Sequence, residues 1–122
     1  MKRILTIWCL AVILIMFTLV GVTWAADGER VFKKCVSCHS LTKNKMGPAL
    51  GNIFDKKAGS VKGYRYSKAM RNSDIIWTDC SLDKFLFKPR KYIKGTKMRF
   101  SGLKKKSHRD ALIKYLKENQ IK

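Results

Sequence analysis

Cys35, Cys38 and His39 fall within five consecutive residues, Cys35-Val36-Ser37-Cys38-His39. Two thiols three residues apart sit about one helical turn from each other, so both can reach neighbouring groups on one edge of a planar molecule. A histidine directly after the second thiol offers a ring nitrogen to the same molecule. This order suits thioether formation with two vinyl groups, with the imidazole as axial ligand to iron. C-x-x-C-H is the attachment signature of c-type haem. Two other readings compete. A redox C-x-x-C needs a strand–helix–strand setting, which the pattern of this chain lacks. A structural zinc site needs four N or S ligands, usually as two close pairs. The second pair here would be Cys80 and His108, widely separated and of different type.

Haem iron with one histidine keeps an open position unless a second ligand fills it. The candidates are Met46, Met70, Met98 and His108. Met98 lies in Lys94-Gly95-Thr96-Lys97-Met98-Arg99-Phe100-Ser101-Gly102-Leu103, where a glycine on each side lets the backbone fold close to a flat cofactor. Met46 and Met70 read as core packing residues. His108, among Ser107, Arg109 and Asp110 at a helix start, reads as solvent-facing.

The elements that must position these groups read as helices and loops. Asp27 is a suitable N-cap for a helix through Val31, Phe32 and Cys35. Residues 40–62 are polar and Gly-rich and read as loops. Ser67 can cap a short helix through Ala69 and Met70. Thr78 or Asp79 can cap another through Leu82, Phe85 and Leu86. Pro89 stops that helix or starts the next turn. Ser107-x-x-Asp110 resembles a capping box before Leu112, Ile113, Tyr115 and Leu116. No stretch alternates cleanly enough for a long strand, so the expected class is all-α.

The chain opens with a basic Met1-Lys2-Arg3, followed by an uncharged apolar run from Ile4 to Val22. Thr23 and Ala25 then stand at the spacing a signal peptidase reads. Residues 1–25 are expected to be a signal peptide and 26–122 the exported domain, with the periplasm as destination. The competing reading is an uncleaved inner-membrane anchor, since the run approaches the roughly 20 residues needed to span a bilayer. Cys9 within the run reads as a small apolar residue. The chain has 122 residues, 27 Lys plus Arg against 8 Asp plus Glu, and a formal charge of +19. That length excludes a large multidomain enzyme, and a domain this small gains from a staple such as a cofactor. So basic a chain would otherwise suggest nucleic acid. Export argues against that partner and points to acidic proteins or anionic membrane surfaces.

Several further motifs stand in order along the chain: Gly28-x-x-x-Phe32-x-x-Cys35-x-x-Cys38-His39, Gly47-Pro48-x-Leu50, Gly63-Tyr64-x-Tyr66-Ser67, Ile75-Ile76-Trp77-Thr78, Pro89-x-x-Tyr92-Ile93, Gly95-Thr96-Lys97-Met98-x-Phe100 and Leu112-Ile113-x-Tyr115-Leu116. Together they resemble class I cytochrome c, in its bacterial cytochrome c2 and mitochondrial branch, from Gly28 to about Lys117. The resemblance implies a small cytochrome c fold, short helices and long loops wrapped around one covalently bound haem c, with crossed terminal helices. It implies attachment through Cys35 and Cys38 and axial ligation by His39 and Met98. The Pro48 carbonyl would orient His39. Tyr66 and Trp77 would hydrogen-bond one haem propionate and Thr96 would help hold the other, with Phe100 beside the haem edge.

With both axial positions filled, the implied function is one-electron transport rather than enzymatic turnover. A small haem peroxidase with a labile Met98 is the less favoured alternative. Lysines flanking the motifs, Lys33, Lys34, Lys45, Lys91, Lys94, Lys97 and Lys104 to Lys106, would steer acidic redox partners toward a monomeric carrier. By resemblance these are a cytochrome bc1 complex as donor and a terminal oxidase or reaction centre as acceptor. The chain departs from the family at Lys94 in place of Pro, Lys56 in place of Arg, Met70 in place of Asn and Phe85 in place of Tyr, and its loop from His39 to Gly47 is short. Cys80 is not a family residue and is expected to be a packed thiol.

Overall fold

The computed structural model describes residues 27–121. Its helices among those residues are α1 over 27–32, α2 Lys68–Arg71, α3 Asp79–Phe87, α4 Pro89–Tyr92 and α5 Lys106–Glu118. The targeting segment 1–25 and the bounds of the 26–122 domain lie outside the described residues. None of the described helices is long and apolar enough to cross a membrane. No strand forms among them, and the one ladder contact is an isolated antiparallel bridge between Lys57 and Ile76.

Residue 28 has no room for a side chain. A Cβ there would lie 2.6 Å from the Ala111 carbonyl oxygen and 2.6 Å from the Tyr115 Cβ, so glycine lets α1 and α5 cross this closely. Phe32, one turn on, packs against Tyr115 with ring centroids 5.2 Å apart. α5 buries Ala111, Leu112, Ile113 and Leu116 along one stripe. Leu112 is 1% exposed, and truncating so buried a leucine to Ala costs about 2–5 kcal/mol. The core continues through Leu82, Phe85 and Leu86 of α3 and through Ile93 and Leu103 of the following loop.

The short helices start where side chains satisfy free amides. Ser67 Oγ accepts from the Met70 amide at 3.1 Å, and α2 follows. Thr78 and Ser81 form a reciprocal capping box at α3, the Thr78 hydroxyl accepting from the Ser81 amide at 3.2 Å. Lys88 ends α3 and precedes Pro89, the first residue of α4, where the missing N–H costs nothing.

Five expectations need correction. Asp27 is itself helical, its carboxylate pairing with Arg30 at 2.8 Å instead of capping α1. Ser107 and Asp110 make no capping box: the N-cap of α5 is Lys105, two residues earlier, with no side-chain cap, and Asp110 pairs with Lys106. Met46 is 74% exposed, because the short loop carrying it turns its side chain outward. Cys80, on the first turn of α3, is exposed and not packed. It lines a cleft between α3 and α5 together with Asp79, Asp83 and Lys106. His108 is half-buried instead of solvent-facing, since it lies on the first turn of α5 beside buried Arg109.

Candidate haem site

Beyond Phe32 the chain tightens instead of stopping. The Cys35 amide donates to the Phe32 carbonyl at 2.7 Å, and the Cys38 and His39 amides donate to the Cys35 carbonyl at 3.1 and 2.8 Å. These turns keep Cys35, Cys38 and His39 on one compact corner at the end of α1. The loop after His39 folds back upon it, with the Gly47 amide on the Cys38 carbonyl at 2.7 Å and the Leu50 amide on the Ser40 carbonyl at 2.9 Å. Asn44 steadies the loop by accepting from the Ala49 amide at 2.9 Å and donating to the Lys62 carbonyl at 2.9 Å.

This return brings Pro48 to His39. His39 Nδ1 donates to the Pro48 carbonyl oxygen at 2.8 Å. Gly47 lies flat against the imidazole, and a Cβ there would collide with ring atom Cε1. His39 is 9% exposed. Burial holds its pKa below the ordinary value, the Pro48 carbonyl acts in the opposite direction, and the Lys45 charge adds to the lowering. The ring is therefore neutral at neutral pH, the form that can donate a lone pair to a metal. Cys35 and Cys38 are half-buried thiols. Burial, with Cys38 adding, pushes the Cys35 thiol up to about 11, against the Lys34 charge.

Met98 is half-buried on the loop between α4 and α5 and packs against the core. Its amide donates to Thr96 Oγ1 at 3.3 Å, and the Thr96 amide to the Ile93 carbonyl at 3.1 Å. Tyr66 is buried, with its ring edge-on to Tyr64 at 4.7 Å. Burial pushes its phenol up to about 12, against the Val61 backbone and with Tyr64 adding to the rise. Trp77 is buried against Phe85 at 5.0 Å. Its amide and carbonyl are tied to Lys56 and Asp55 at 2.9 Å each. Phe100 is half-buried against the same core. Among the described residues the structure joins His39 to Pro48 and Thr96 to Met98, and leaves the Tyr66 and Trp77 side chains unbonded to either pair.

These residues fit a flat, largely apolar group with an iron at its centre. His39 Nε2 has no hydrogen bond among the described residues, yet no fully buried side-chain nitrogen or oxygen there lacks a partner. Among the described residues Nε2 is therefore unpaired without being fully enclosed. Leu50, Met98, Phe100 and Cys35 are apolar groups that the protein covers only halfway.

The charges are unevenly paired. Asp79, Asp83, Asp110 and Glu118, half of the eight acidic residues, are paired across or along α3 and α5 with Lys117, Arg109, Lys106 and Lys114. Lys106 is thus neutralised locally. Lys33, Lys34, Lys45, Lys91, Lys94, Lys97, Lys104 and Lys105 are exposed and have no ion pair among the described residues.

A helical chain crossed at its termini, with a C-x-x-C-H corner and a histidine held for ligation, defines a c-type haem protein. The family described as Cytochrome c matches residues 25–120. Cytochrome c2 of Afifella marina is 45% identical over 98 residues, covering 75% of this chain and 79% of its own. Cytochrome c of Sesamum indicum is 47% identical over 96 residues, covering 75% and 86%. Among solved structures, cytochrome cH from Methylobacterium extorquens superposes with a TM-score of 0.75 at 39% identity, covering 77% of this chain and 97% of that one. The chain belongs to the cytochrome c family, class I, with covalently attached haem c as its cofactor and electron carriage as its general function.

Arg109 was not singled out in the sequence, although it is 7% exposed. Its signal was available: position 109 falls three and four residues before Leu112 and Ile113, on the apolar stripe of α5.

Proposed function

We propose that the protein is a periplasmic one-electron carrier in which Cys35 and Cys38 hold haem c through thioethers, with His39 and Met98 as axial ligands. The observation that carries this is the His39–Pro48 hydrogen bond at 2.8 Å, which fixes the imidazole and leaves Nε2 free. When bound, haem c supplies an iron couple that cycles between Fe(III) and Fe(II). Met98, through its soft sulfur, favours the reduced state. Gly47 covers His39 and excludes water from that side. Tyr66, kept protonated by burial, can donate to a propionate, as can the Trp77 indole N–H; Thr96 serves the other propionate while holding the Met98 amide. With His39 and Met98 both committed, no residue leaves a position for substrate, which favours transport over peroxidase turnover.

Residues 1–25 direct export and are removed, leaving 26–122 as the working domain. Its unpaired lysines steer acidic redox proteins, with a cytochrome bc1 complex as donor and a terminal oxidase or reaction centre as acceptor. The N-terminal residue of purified protein tests cleavage: a chain starting at Ala26 supports it, and one starting at Met1 supports the anchor. Met98→Ala tests the ligand set. The variant should retain haem, lose potential and bind exogenous ligands readily. If it binds them no better than the parent, Met98 is not a ligand.

A further inference from the structure

Arg109 is a cation on the buried side of α5 with no role in the function proposed above. Its side chain is 9% exposed. Nε donates to Asp83 Oδ1 at 2.8 Å, and one Nη donates to the carbonyl oxygens of Leu103 at 2.8 Å and Lys104 at 2.9 Å. The guanidinium lies 5.0 Å from the centroid of the Phe87 ring. These partners come from different segments. Asp83 and Phe87 belong to α3, while Leu103 and Lys104 end the loop that connects α4 to α5.

That loop carries Met98 near its middle. Its first end is held by buried Ile93, whose amide donates to the Pro89 carbonyl at 3.0 Å. Its far end is held by the Leu103 amide on the Leu86 carbonyl at 2.8 Å, by Gly102 packed against the Phe87 carbonyl, and by the guanidinium. Because α5 starts at Lys106 with no side-chain cap, the turn from loop to helix has no local lock. Arg109 supplies one from the next turn. A planar fork can serve two successive carbonyls and a carboxylate together, which an ammonium cannot match.

We propose that Arg109 is a positioning residue for Met98: by clamping the end of the α4–α5 loop to α3 and α5, it holds the thioether at the ligand position. The inference rests on Met98 being an axial ligand. Met98 stands five residues before Leu103, a stretch of chain that spans roughly 17 Å when extended. Releasing its far end would let the thioether move away while the terminal-helix crossing stays formed, a local and not a global opening.

The test uses ferric, haem-loaded protein titrated with imidazole, with the guanidinium chloride midpoint measured on the same samples. Arg109→Met should bind imidazole about tenfold more tightly than the parent, since it loses several charge-assisted hydrogen bonds. Arg109→Lys should recover only part of the parent behaviour. Phe87→Leu, which removes the ring but leaves the hydrogen bonds, should shift affinity the same way by about threefold. Tyr115→Leu weakens the α1–α5 crossing and should lower the denaturation midpoint without tightening imidazole binding.

Parent-like affinity in Arg109→Met overturns the proposal. So does a gain that Tyr115→Leu matches at equal loss of stability. If Arg109→Met does not accumulate with haem, Phe87→Leu decides, and unchanged affinity there overturns the proposal. Met98→Ala separates the two levels. If it gains no imidazole affinity, the ligand assignment itself fails. If it gains affinity and Arg109→Met does not, only the positioning role fails.

Discussion

The Pro48 carbonyl oxygen accepts the Nδ1 proton of His39 at 2.8 Å, across nine residues of chain. One hydrogen bond thereby sets the tautomer, the ring plane and the direction of Nε2. The loop that makes this possible depends on Gly47, whose backbone occupies the space beside the imidazole.

Gly47→Ala should therefore disturb His39 directly. The added Cβ would collide with the ring, and overpacking at such a place costs about 1–3 kcal/mol. Expected outcomes are a smaller haem-loaded fraction on expression and a lower denaturation midpoint. Full loading with a parent-like midpoint would show that the imidazole has room to shift.

Gly28→Ala tests the helix crossing independently of the cofactor corner. Its Cβ would sit 2.6 Å from both the Ala111 carbonyl and the Tyr115 Cβ, and backbone cannot yield as a flexible side chain can. A loss of about 1–3 kcal/mol is expected in denaturant titrations of the holoprotein. A change under about 0.5 kcal/mol, typical of an unconstrained surface position, would contradict the close approach.

Burial raises the Tyr66 phenol from 10.0 to about 12. In the unfolded chain the phenol ionises near 10, while in the fold it keeps its proton. Stability from this group is thus fully present below pH 10 and is lost as pH rises through 12. Tyr66→Phe should flatten the fall in denaturation midpoint between about pH 10 and about pH 12. An equally steep fall in the variant would mean that Tyr66 is not buried as described.

Unpaired lysines predict a salt-sensitive encounter. The Debye length falls from about 10 Å at 0.1 M to about 3 Å at 1 M ionic strength. Electron transfer to an acidic partner protein should slow steeply over that range when followed by stopped flow. A rate independent of salt would remove steering from the account.

Local chemistry made much of the fold legible. Ser67 and the Thr78–Ser81 pair are capping side chains within three residues of the amides they satisfy, so their helices could be read from sequence. The start of α5 could not. Ser107 and Asp110 carry the pattern of a capping box, but Asp110 pairs with Lys106 and the preceding turn is secured by Arg109 reaching Leu103, Lys104 and Asp83. Those contacts depend on α3, which local pattern does not specify. Met46 and Cys80 failed for a related reason: an apolar or sulfur-bearing side chain on a short loop or a first helical turn is covered only if another segment passes over it. At the candidate site the C-x-x-C-H spacing was readable from its chemistry. The pairing of His39 with Pro48 came through family resemblance, because nothing in local spacing specifies how the intervening loop returns.

The most direct measurement is a redox titration of protein matured in an oxidising compartment, followed in the visible spectrum. Expected are haem that resists acid–organic extraction, sharp bands on reduction, a weak ferric sulfur-to-iron band, and a single reversible one-electron transition. Extractable haem, a ferric spectrum without the sulfur band, or no haem at all would contradict haem c ligated by His39 and Met98.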